Sequence, residues 1–158
     1  NLPRADKLMR PRYQNVAPDR IPELSLAGAP VRLVAGQLGA ERGPVDGISV
    51  EPTLLDVRLP PRARFEHELP RDHTAFAYVL EGTAELGSGL GAVNAGQIAV
   101  FSAGQVVPAR TAQGARLLLI AGRKLGEPVA RRGPFVMNTE AELNQAVEDY
   151  RNGTLVSG

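Results

Sequence analysis

Glycine and proline interrupt this sequence so often that only short regular segments fit between them. The chain has 158 residues, of which 17 are glycine and 13 are proline. Between these breaks lie runs of apolar and β-branched residues, with turn-forming residues recurring roughly every eight to twelve positions. Such spacing is typical of an all-β double-sheet sandwich or barrel and leaves little room for long helices. We therefore predict a mainly β domain.

Three segments carry the clearest strand pattern. Pro30–Gly36 (PVRLVAG) is apolar and rich in β-branched residues, and residues 54–59 (LLDVRL) include an alternation of apolar and charged side chains. A strand places successive side chains on opposite faces, so this alternation predicts one buried face and one solvated face. Ala115–Ala121 (ARLLLIA) is apolar at every position but one. A strand of that kind is expected in the centre of a sheet, covered on both faces.

Two short turns follow one another in the middle of the chain. The pair Glu81-Gly82 separates the strand-like runs 76–81 and 83–86, and residues 94–96 (Asn-Ala-Gly) separate a second pair of runs. Glycine tolerates the positive φ that tight hairpin turns require. The sequence therefore predicts two β-hairpins at these positions.

The last part of the chain has a helical pattern. Thr139 is a suitable N-cap, and Glu142, three residues later, completes a capping box. Gly153 can adopt the left-handed conformation that ends a helix. The apolar residues between them fall at i, i+3, i+4 and i+7 on one helical stripe: Leu143, Ala146, Val147 and Tyr150. We predict a helix at about residues 140–151, with this stripe packed against the outside of the sheet or a partner domain.

These patterns divide the chain into three parts. Residues 1–30 are rich in proline and are interpreted as an extended arm or interdomain crossover. Residues 31–125 are interpreted as the β-sandwich, and residues 126–158 as a C-terminal segment that contains the helix. The sequence begins at Asn1 rather than at a methionine, and we expect it to be a piece of a longer protein.

Charge and composition argue against several classes of function. Lys and Arg number 18 and Asp and Glu 17, so the chain lacks the basic excess expected of a nucleic-acid-binding protein. The absence of cysteine excludes disulfides, thiolate metal sites and cysteine nucleophiles. No apolar run approaches the roughly 20 residues that span a bilayer. We expect a cytoplasmic protein with no membrane or nucleic-acid partner. No catalytic residue is predicted, because nucleophile and phosphate-binding motifs are absent.

The two histidines of the chain, His67 and His73, lie close to acidic residues and raise the question of a metal site. Glu66 and Glu68 are two positions apart, so they share one strand face. Because Pro70 separates the histidines, one regular strand cannot direct both at the same metal ion. These two histidines and two glutamates are the candidate ligands, but a solvated strand face is the simpler interpretation. We expect His67 to be half-buried and hydrogen-bonded and His73 to lie in a loop.

The spacing before Gly82 resembles that of metal-binding cupins, which are small double-sheet β-barrels. In those proteins an HxH pair and a glutamate precede the glycine, because positions i and i+2 of a strand both point into the barrel. Counting back from Gly82, the glutamate position falls on Ala75. The HxH pair falls on one of two pairs of residues: Leu69 with Arg71, or Glu68 with Pro70.

The second half of the cupin pattern gives the same result. Gly96 and Gly104 are in place, but Ser102 stands where proline is expected and Val107 stands where the third histidine would be. Imidazole and carboxylate groups are the ligands that such a site uses. The framework is therefore present without its ligands, and we expect no metal and no cofactor in this segment.

Longer phrases resemble the C-terminal half of pirin-family proteins. They are NLPRADKLMRPRYQ, GPVDGISVEPTLLDVRLPP, HTAFAYVLEG and GPFVMNTEAELNQAVEDYRNG. Pirin-family proteins are bicupins, with two β-barrels in one polypeptide. The resemblance implies that the N-terminal barrel holds iron, or another divalent transition metal, on three His and one Glu, and that the C-terminal barrel lacks these ligands. Members are associated with quercetin 2,3-dioxygenase activity and, in eukaryotes, with transcriptional coregulation.

The resemblance leads to two hypotheses. In the first, this segment is the metal-free, non-catalytic C-terminal cupin of a dioxygenase, and its partner is the N-terminal half. In the second, it is a non-catalytic binding or coregulator module that docks a protein partner or a small apolar ligand. Self-association through the same exposed interface is expected if the N-terminal half is absent. The residues expected at this partner surface are Asn1, Leu2, Pro3, Tyr13, Gly133, Pro134, Phe135 and Asn138.

Overall fold

A computed structural model describes residues 1–87, 89, 91–102 and 104–155. The chain divides into two compact units. The larger unit is Val16–Lys124, and the smaller unit combines Asn1–Asn15 with Leu125–Gly158. Within the described ranges, no helix is long and apolar enough to cross a membrane.

The larger unit is built almost entirely from strands. A single turn of 3-10 helix, Pro18–Arg20, precedes them. The strands are β1 (Glu23–Leu26), β2 (Ala29–Ala35), β3 (Gln37–Leu38), β4 (Glu41–Arg42), β5 (Thr53–Leu59), β6 (Arg64–Glu68), β7 (His73–Leu86), β8 (Ala92–Asn94), β9 (Ile98–Val100), β10 (Val106–Arg110) and β11 (Ala115–Arg123). β1 and the start of β2 lie within residues 1–30, the segment for which the sequence predicted an extended arm.

Nine of the strands described form one curled, nearly closed, barrel-like sheet. Seven of them lie in the order β1-β2-β5-β11-β7-β10-β6, while β8 and β9 both pair with β7. β3 and β4 form a separate two-stranded sheet. The mainly β, barrel-type fold predicted from the turn spacing is confirmed.

Alternating side chains from these strands fill the interior of the larger unit. β11 lies between β5 and β7, which confirms the central position predicted for it. Burying one Val, Leu or Phe side chain contributes about 1.5–3 kcal/mol. The fully buried side chains of greatest volume in this unit are Phe65, Leu33, Leu55, Leu86, Leu117, Leu119, Val31, Val57 and Val79.

The face of β5 that was predicted to be solvated is partly shielded. Asp56 is only 8% exposed, because Arg116 of β11 covers it. The guanidinium donates two hydrogen bonds to the carboxylate, at 2.9 and 2.8 Å. These bonds lower the pKa of Asp56 against the opposing effect of burial, and they raise the pKa of Arg116. A charged residue on the solvent side of a strand can therefore be buried by a side chain from the neighbouring strand.

The predicted hairpin at Glu81-Gly82 is wrong, because β7 continues through Gly82 as a single strand of 14 residues. The register with β11 shifts here: Leu117 faces Val79 and Arg116 faces Glu81, so Leu80 is an extra residue. Gly82 follows this bulge with φ +72°. Glycine is common in both tight turns and bulges. The two can be distinguished only by knowing which strand pairs with the segment.

The predicted second hairpin is also wrong. A turn does form at residues 94–96, where the N–H of Gln97 donates to the carbonyl of Asn94 at 3.0 Å. However, β8 and β9 pair with β7 and not with each other. β8 lies along Thr83–Glu85 and β9 along Phe76–Tyr78, on the two sides of Gly82. The turn therefore connects β8, which pairs with β7 after Gly82, to β9, which pairs with β7 before Gly82.

The smaller unit consists of a 3-10 turn (Arg4–Asp6), strands β12 (Ala130–Arg132) and β13 (Phe135–Met137), and helix α1 (Glu140–Asn152). The helix and its capping box are confirmed: the Thr139 hydroxyl accepts from the Glu142 N–H at 3.2 Å, and the Glu142 carboxylate accepts from the Thr139 N–H at 2.9 Å. Gly153 ends the helix with φ +72°.

The apolar stripe of α1 packs within the smaller unit. Leu143 and Ala146 are buried, and the helix contacts β12 and β13. Tyr150 is 66% exposed, but its ring makes an edge contact with Phe135 at 5.7 Å between centroids. The stripe thus covers the two-stranded β12–β13 hairpin within its own unit, a surface that the sequence did not predict.

The close packing at Gly82 can be tested with two alanine substitutions. A Cβ at Gly82 would lie 2.2 Å from the carbonyl oxygen of Gly114, whereas a Cβ at Gly96, also at positive φ, would meet nothing within 4 Å. We expect Gly82→Ala to cost about 3 kcal/mol or more, from backbone strain plus overpacking. Gly96→Ala should cost only the strain, about 1–2 kcal/mol. Urea unfolding measures both, and equal losses would contradict the packing.

Candidate functional site

One end of the barrel-like sheet contains a cavity of about 530 Å³. β2 and β6 end here, and β5 and β7 begin here, so the connections between antiparallel strands gather around the opening. The cavity is lined by Gly36, Gln37, Arg42, Gly43, Val45, Asp46, Gly47, Ile48, Glu51, Pro52, Thr53, His67, Glu68, Pro70 and His73. Both histidines of the chain therefore face one cavity.

His67 lies on the buried face of β6. Side chains of this strand alternate between exposed and buried, and His67 is 9% exposed. Its ring stacks on Phe65, with 6.4 Å between ring centroids and 26° between planes. Burial lowers the pKa of His67, and the nearby Glu68 carboxylate opposes this effect only in part. His67 is more deeply buried than predicted.

His73 is the first residue of β7 and not a loop residue as predicted. Its N–H donates to the carbonyl of Pro70 at 3.0 Å, which closes the turn between β6 and β7. The Nδ1 atom of His73 is buried and has no hydrogen-bond partner. The turn reverses the chain, so the proline that seemed to separate the histidines helps to bring them to one cavity.

The glutamates of β6 do not complete a metal site with the histidines. Glu66 and Glu68 share the exposed face of the strand, as their spacing predicted. Glu68 lines the histidine cavity, whereas Glu66 lines a different cavity of about 700 Å³. Among the residues that the structure describes, no group of three or more His, Asp or Glu side chains is placed to hold a metal ion.

Three of the four positions where metal-binding cupins carry their ligands are filled by core residues, and the fourth, Arg71, is exposed. Leu69, Ala75 and Val107 are 6%, 5% and 4% exposed and belong to the main apolar cluster. Val107 lies directly opposite His67 in the pairing of β10 with β6. Alkyl side chains offer no lone pair to a metal, so these positions do not fit iron or another transition metal. The alternative positions for the HxH pair, Glu68 and Pro70, are both exposed at or just after the end of β6.

The smaller unit contains all eight residues predicted for a partner surface. Four of them, Asn1, Leu2, Pro134 and Phe135, line a groove of about 340 Å³. The remaining lining residues are Lys7, Leu8, Val136, Met137, Ala146 and Leu155. Pro3 and Gly133 adjoin lining residues in the sequence, and Tyr13 is 88% exposed.

Asn138 does not lie on this surface, because it is 6% exposed and holds the unit together. Its side-chain amide donates to the Glu127 carboxylate at 3.0 Å and to the Pro128 carbonyl at 2.9 Å. Its N–H donates to the Glu142 carboxylate at 2.9 Å. Although burial raises the pKa of Glu142, this bond and those from Arg4 and Thr139 more than compensate and lower it. Asn138 is therefore a structural residue.

The buried His67 should make stability depend on pH. Since burial lowers its pKa, the unfolded chain binds a proton near the ordinary value of 6.5 while the folded chain stays neutral. We expect the free energy of unfolding to fall as pH decreases below 6.5, and we expect His67→Gln to lose this part of the decrease. Urea unfolding of both proteins over this pH range measures it. An identical pH dependence in the two proteins would contradict the assignment.

Comparisons with known proteins agree with this geometry. The family model "Pirin C-terminal cupin domain" matches residues 54–156, more than half of the chain. Pirin-1 of Arabidopsis thaliana is 37% identical over 158 residues, which cover 96% of this chain and 54% of the relative. Human Pirin is 34% identical over 157 residues, covering 96% of this chain and 53% of the relative.

A solved structure shows the same fold over nearly the whole chain. The crystal structure of quercetin 2,3-dioxygenase from Acinetobacter baumannii superposes with a TM-score of 0.86 at 28% identity, covering 99% of this chain and 55% of that chain. The chain thus spans about half the length of the relatives it matches. The strand order, the framework glycines and the family match lead to one conclusion: the chain belongs to the pirin family, and its barrel is the C-terminal cupin domain of that family.

Proposed function

We propose that this chain is the metal-free, non-catalytic C-terminal half of a bicupin that acts in the cytoplasm as a quercetin 2,3-dioxygenase-type oxygenase. One observation carries the proposal: Leu69, Ala75 and Val107 occupy three of the four ligand positions as part of the apolar core. In this proposal the metal, iron or another divalent transition metal, belongs to the N-terminal half. The similarity to a quercetin 2,3-dioxygenase supports this class of reaction for the parent protein.

The role of this half is to bind and support the catalytic half. The groove of the smaller unit is mainly apolar, and two large apolar side chains of that unit, Leu8 and Tyr13, are 51% and 88% exposed. An apolar groove together with exposed apolar side chains favours association with a partner. We assign the N-terminal half as that partner, with self-association of this chain when the other half is missing.

A second candidate function is a non-catalytic binding or coregulator module. Exposed apolar side chains on the larger unit support it: Ile98, Val100 and Val106 are 58%, 67% and 47% exposed. Ile98 and Val100 belong to β9, a short strand that pairs with β7. In this alternative the barrel docks a protein partner, and no reaction depends on the assembly.

A reconstitution experiment distinguishes the two candidates. Quercetin oxygenation is measured for the 158-residue chain, for the N-terminal half of the parent, and for the mixture. We expect no turnover by this chain alone and greater turnover by the mixture than by the N-terminal half. Docking without any gain in turnover favours the binding module. Turnover by this chain alone, or a mixture that neither docks nor gains activity, would contradict the proposal.

Two matched variants locate the docking surface. Phe135→Asp introduces a charge into the groove, and Val129→Asp introduces the same charge at a 65% exposed position that does not line it. Because a buried charge without a partner is costly, we expect Phe135→Asp to weaken docking about tenfold or more. Val129→Asp should dock as the unmodified chain does. Titration calorimetry measures both affinities, and equal affinities would place the partner on a different surface.

A further inference from the structure

We propose that the histidine cavity of the larger unit is a binding site for a small uncharged molecule that carries a hydroxyl group on an apolar body. The site lies within one unit and does not depend on the scaffold role proposed above. It also differs from a metal site, since the described residues around it do not assemble a set of three ligands.

The first argument is the unpartnered nitrogen of His73. Nδ1 is buried and makes no hydrogen bond, although His73 lines a cavity of about 530 Å³. Buried polar atoms are nearly always hydrogen-bonded, and leaving one unpartnered is costly. A polar atom of a molecule inside the cavity would supply the missing bond once a rotation of the ring turns Nδ1 toward the cavity. The volume falls within the range of about 300–1,000 Å³ that is usual for small-molecule sites.

The second argument is the chemistry of the buried polar side chains. Besides His73, two buried polar residues line the cavity: His67 and Thr53, with 9% and 7% of their surface exposed. Burial disfavours the charged form of His67, so its ring presents one donor and one acceptor. A hydroxyl group both donates and accepts, and it therefore complements an imidazole in either tautomer as well as the threonine hydroxyl.

The third argument is the distribution of charge around the opening. The charged side chains that line the cavity are all on its exposed rim and carry both signs: Arg42, Asp46, Glu51 and Glu68. Glu51 is already paired with Arg123 at 3.6 Å, and Asp46 also has a partner. A site for an anion would instead concentrate cationic donors. Apart from Glu51 and Asp46, the rim carries one charge of each sign, Arg42 and Glu68, and it therefore favours an uncharged ligand.

The apolar part of the lining favours a ligand with an apolar body. Val45, Ile48, Pro52 and Pro70 contribute alkyl surface beside the buried polar groups. Ligand sites commonly combine such surface with a few polar groups that fix orientation. The glycines at 36, 43 and 47 contribute no side chains that would fill the space.

The experiment uses three probes with one ring system. 2-Naphthol carries a neutral hydroxyl at pH 7, 2-naphthoate carries a negative charge, and naphthalene carries no polar group. Titration calorimetry and imidazole ¹⁵N spectra are recorded on the 158-residue chain, in which only two histidines contribute signals. We expect 2-naphthol to bind more tightly than either of the other probes and to shift the Nδ1 resonance of His73. Tighter binding of 2-naphthoate, equal binding of naphthalene, or no binding of 2-naphthol would overturn the proposal.

Variants separate this site from other surfaces. His73→Leu and Thr53→Val each remove a polar group from the cavity, whereas Glu66→Gln alters the exposed face of β6 beside another cavity. Loss of one hydrogen bond predicts about tenfold weaker binding of 2-naphthol by each cavity variant. Glu66→Gln should bind as the unmodified chain does. Amide spectra identify cavity variants that keep the fold, and unchanged affinity in a folded cavity variant would overturn the proposal.

Discussion

The larger unit depends on the close contact between Gly82 and the carbonyl of Gly114. An ideal Cβ at Gly82 would lie 2.2 Å from that oxygen, so only glycine lets the two chain segments approach each other in this way. Before this point β7 pairs with β11 and β9, and after it with β8 and β10. A single strand thus joins both parts of the curled sheet. Its first residue, His73, lines the cavity at one end of that sheet.

The same barrel shows how a cupin framework can persist without its metal chemistry. A metal site requires buried imidazole and carboxylate groups, which are costly to bury unless the metal or hydrogen bonds satisfy them. Here alkyl side chains take three of the four positions and contribute to the core, and the exposed Arg71 takes the fourth. The framework glycines Gly82 and Gly96 are required by the backbone conformation, since both have positive φ. This requirement does not depend on a metal. The backbone pattern and the ligand set can therefore change independently of each other.

The sequence predicted local features well and long-range pairing less well. The capping box of α1 and the central apolar strand β11 depend on residues close together in the chain, and both were predicted. The bulge at Gly82 was interpreted as a turn, because β11, the strand whose register reveals the bulge, lies far along the sequence. The shared cavity of His67 and His73 was missed because Pro70 was interpreted as separating them, whereas it lies in the turn that brings them together. Counting residues from Gly82 was enough to show that a ligand position holds an apolar residue. The approach of the two histidines to one cavity could be seen only in the structure.

The central claim is that the barrel keeps the cupin backbone while three of its four ligand positions hold core residues. Metal analysis of the purified 158-residue chain, after incubation with iron or nickel and removal of free ions, tests it most directly. The account predicts far less than one equivalent of retained metal, with no change when both histidines are replaced. One tightly held equivalent, lost in the His67→Gln/His73→Leu double variant, would contradict it.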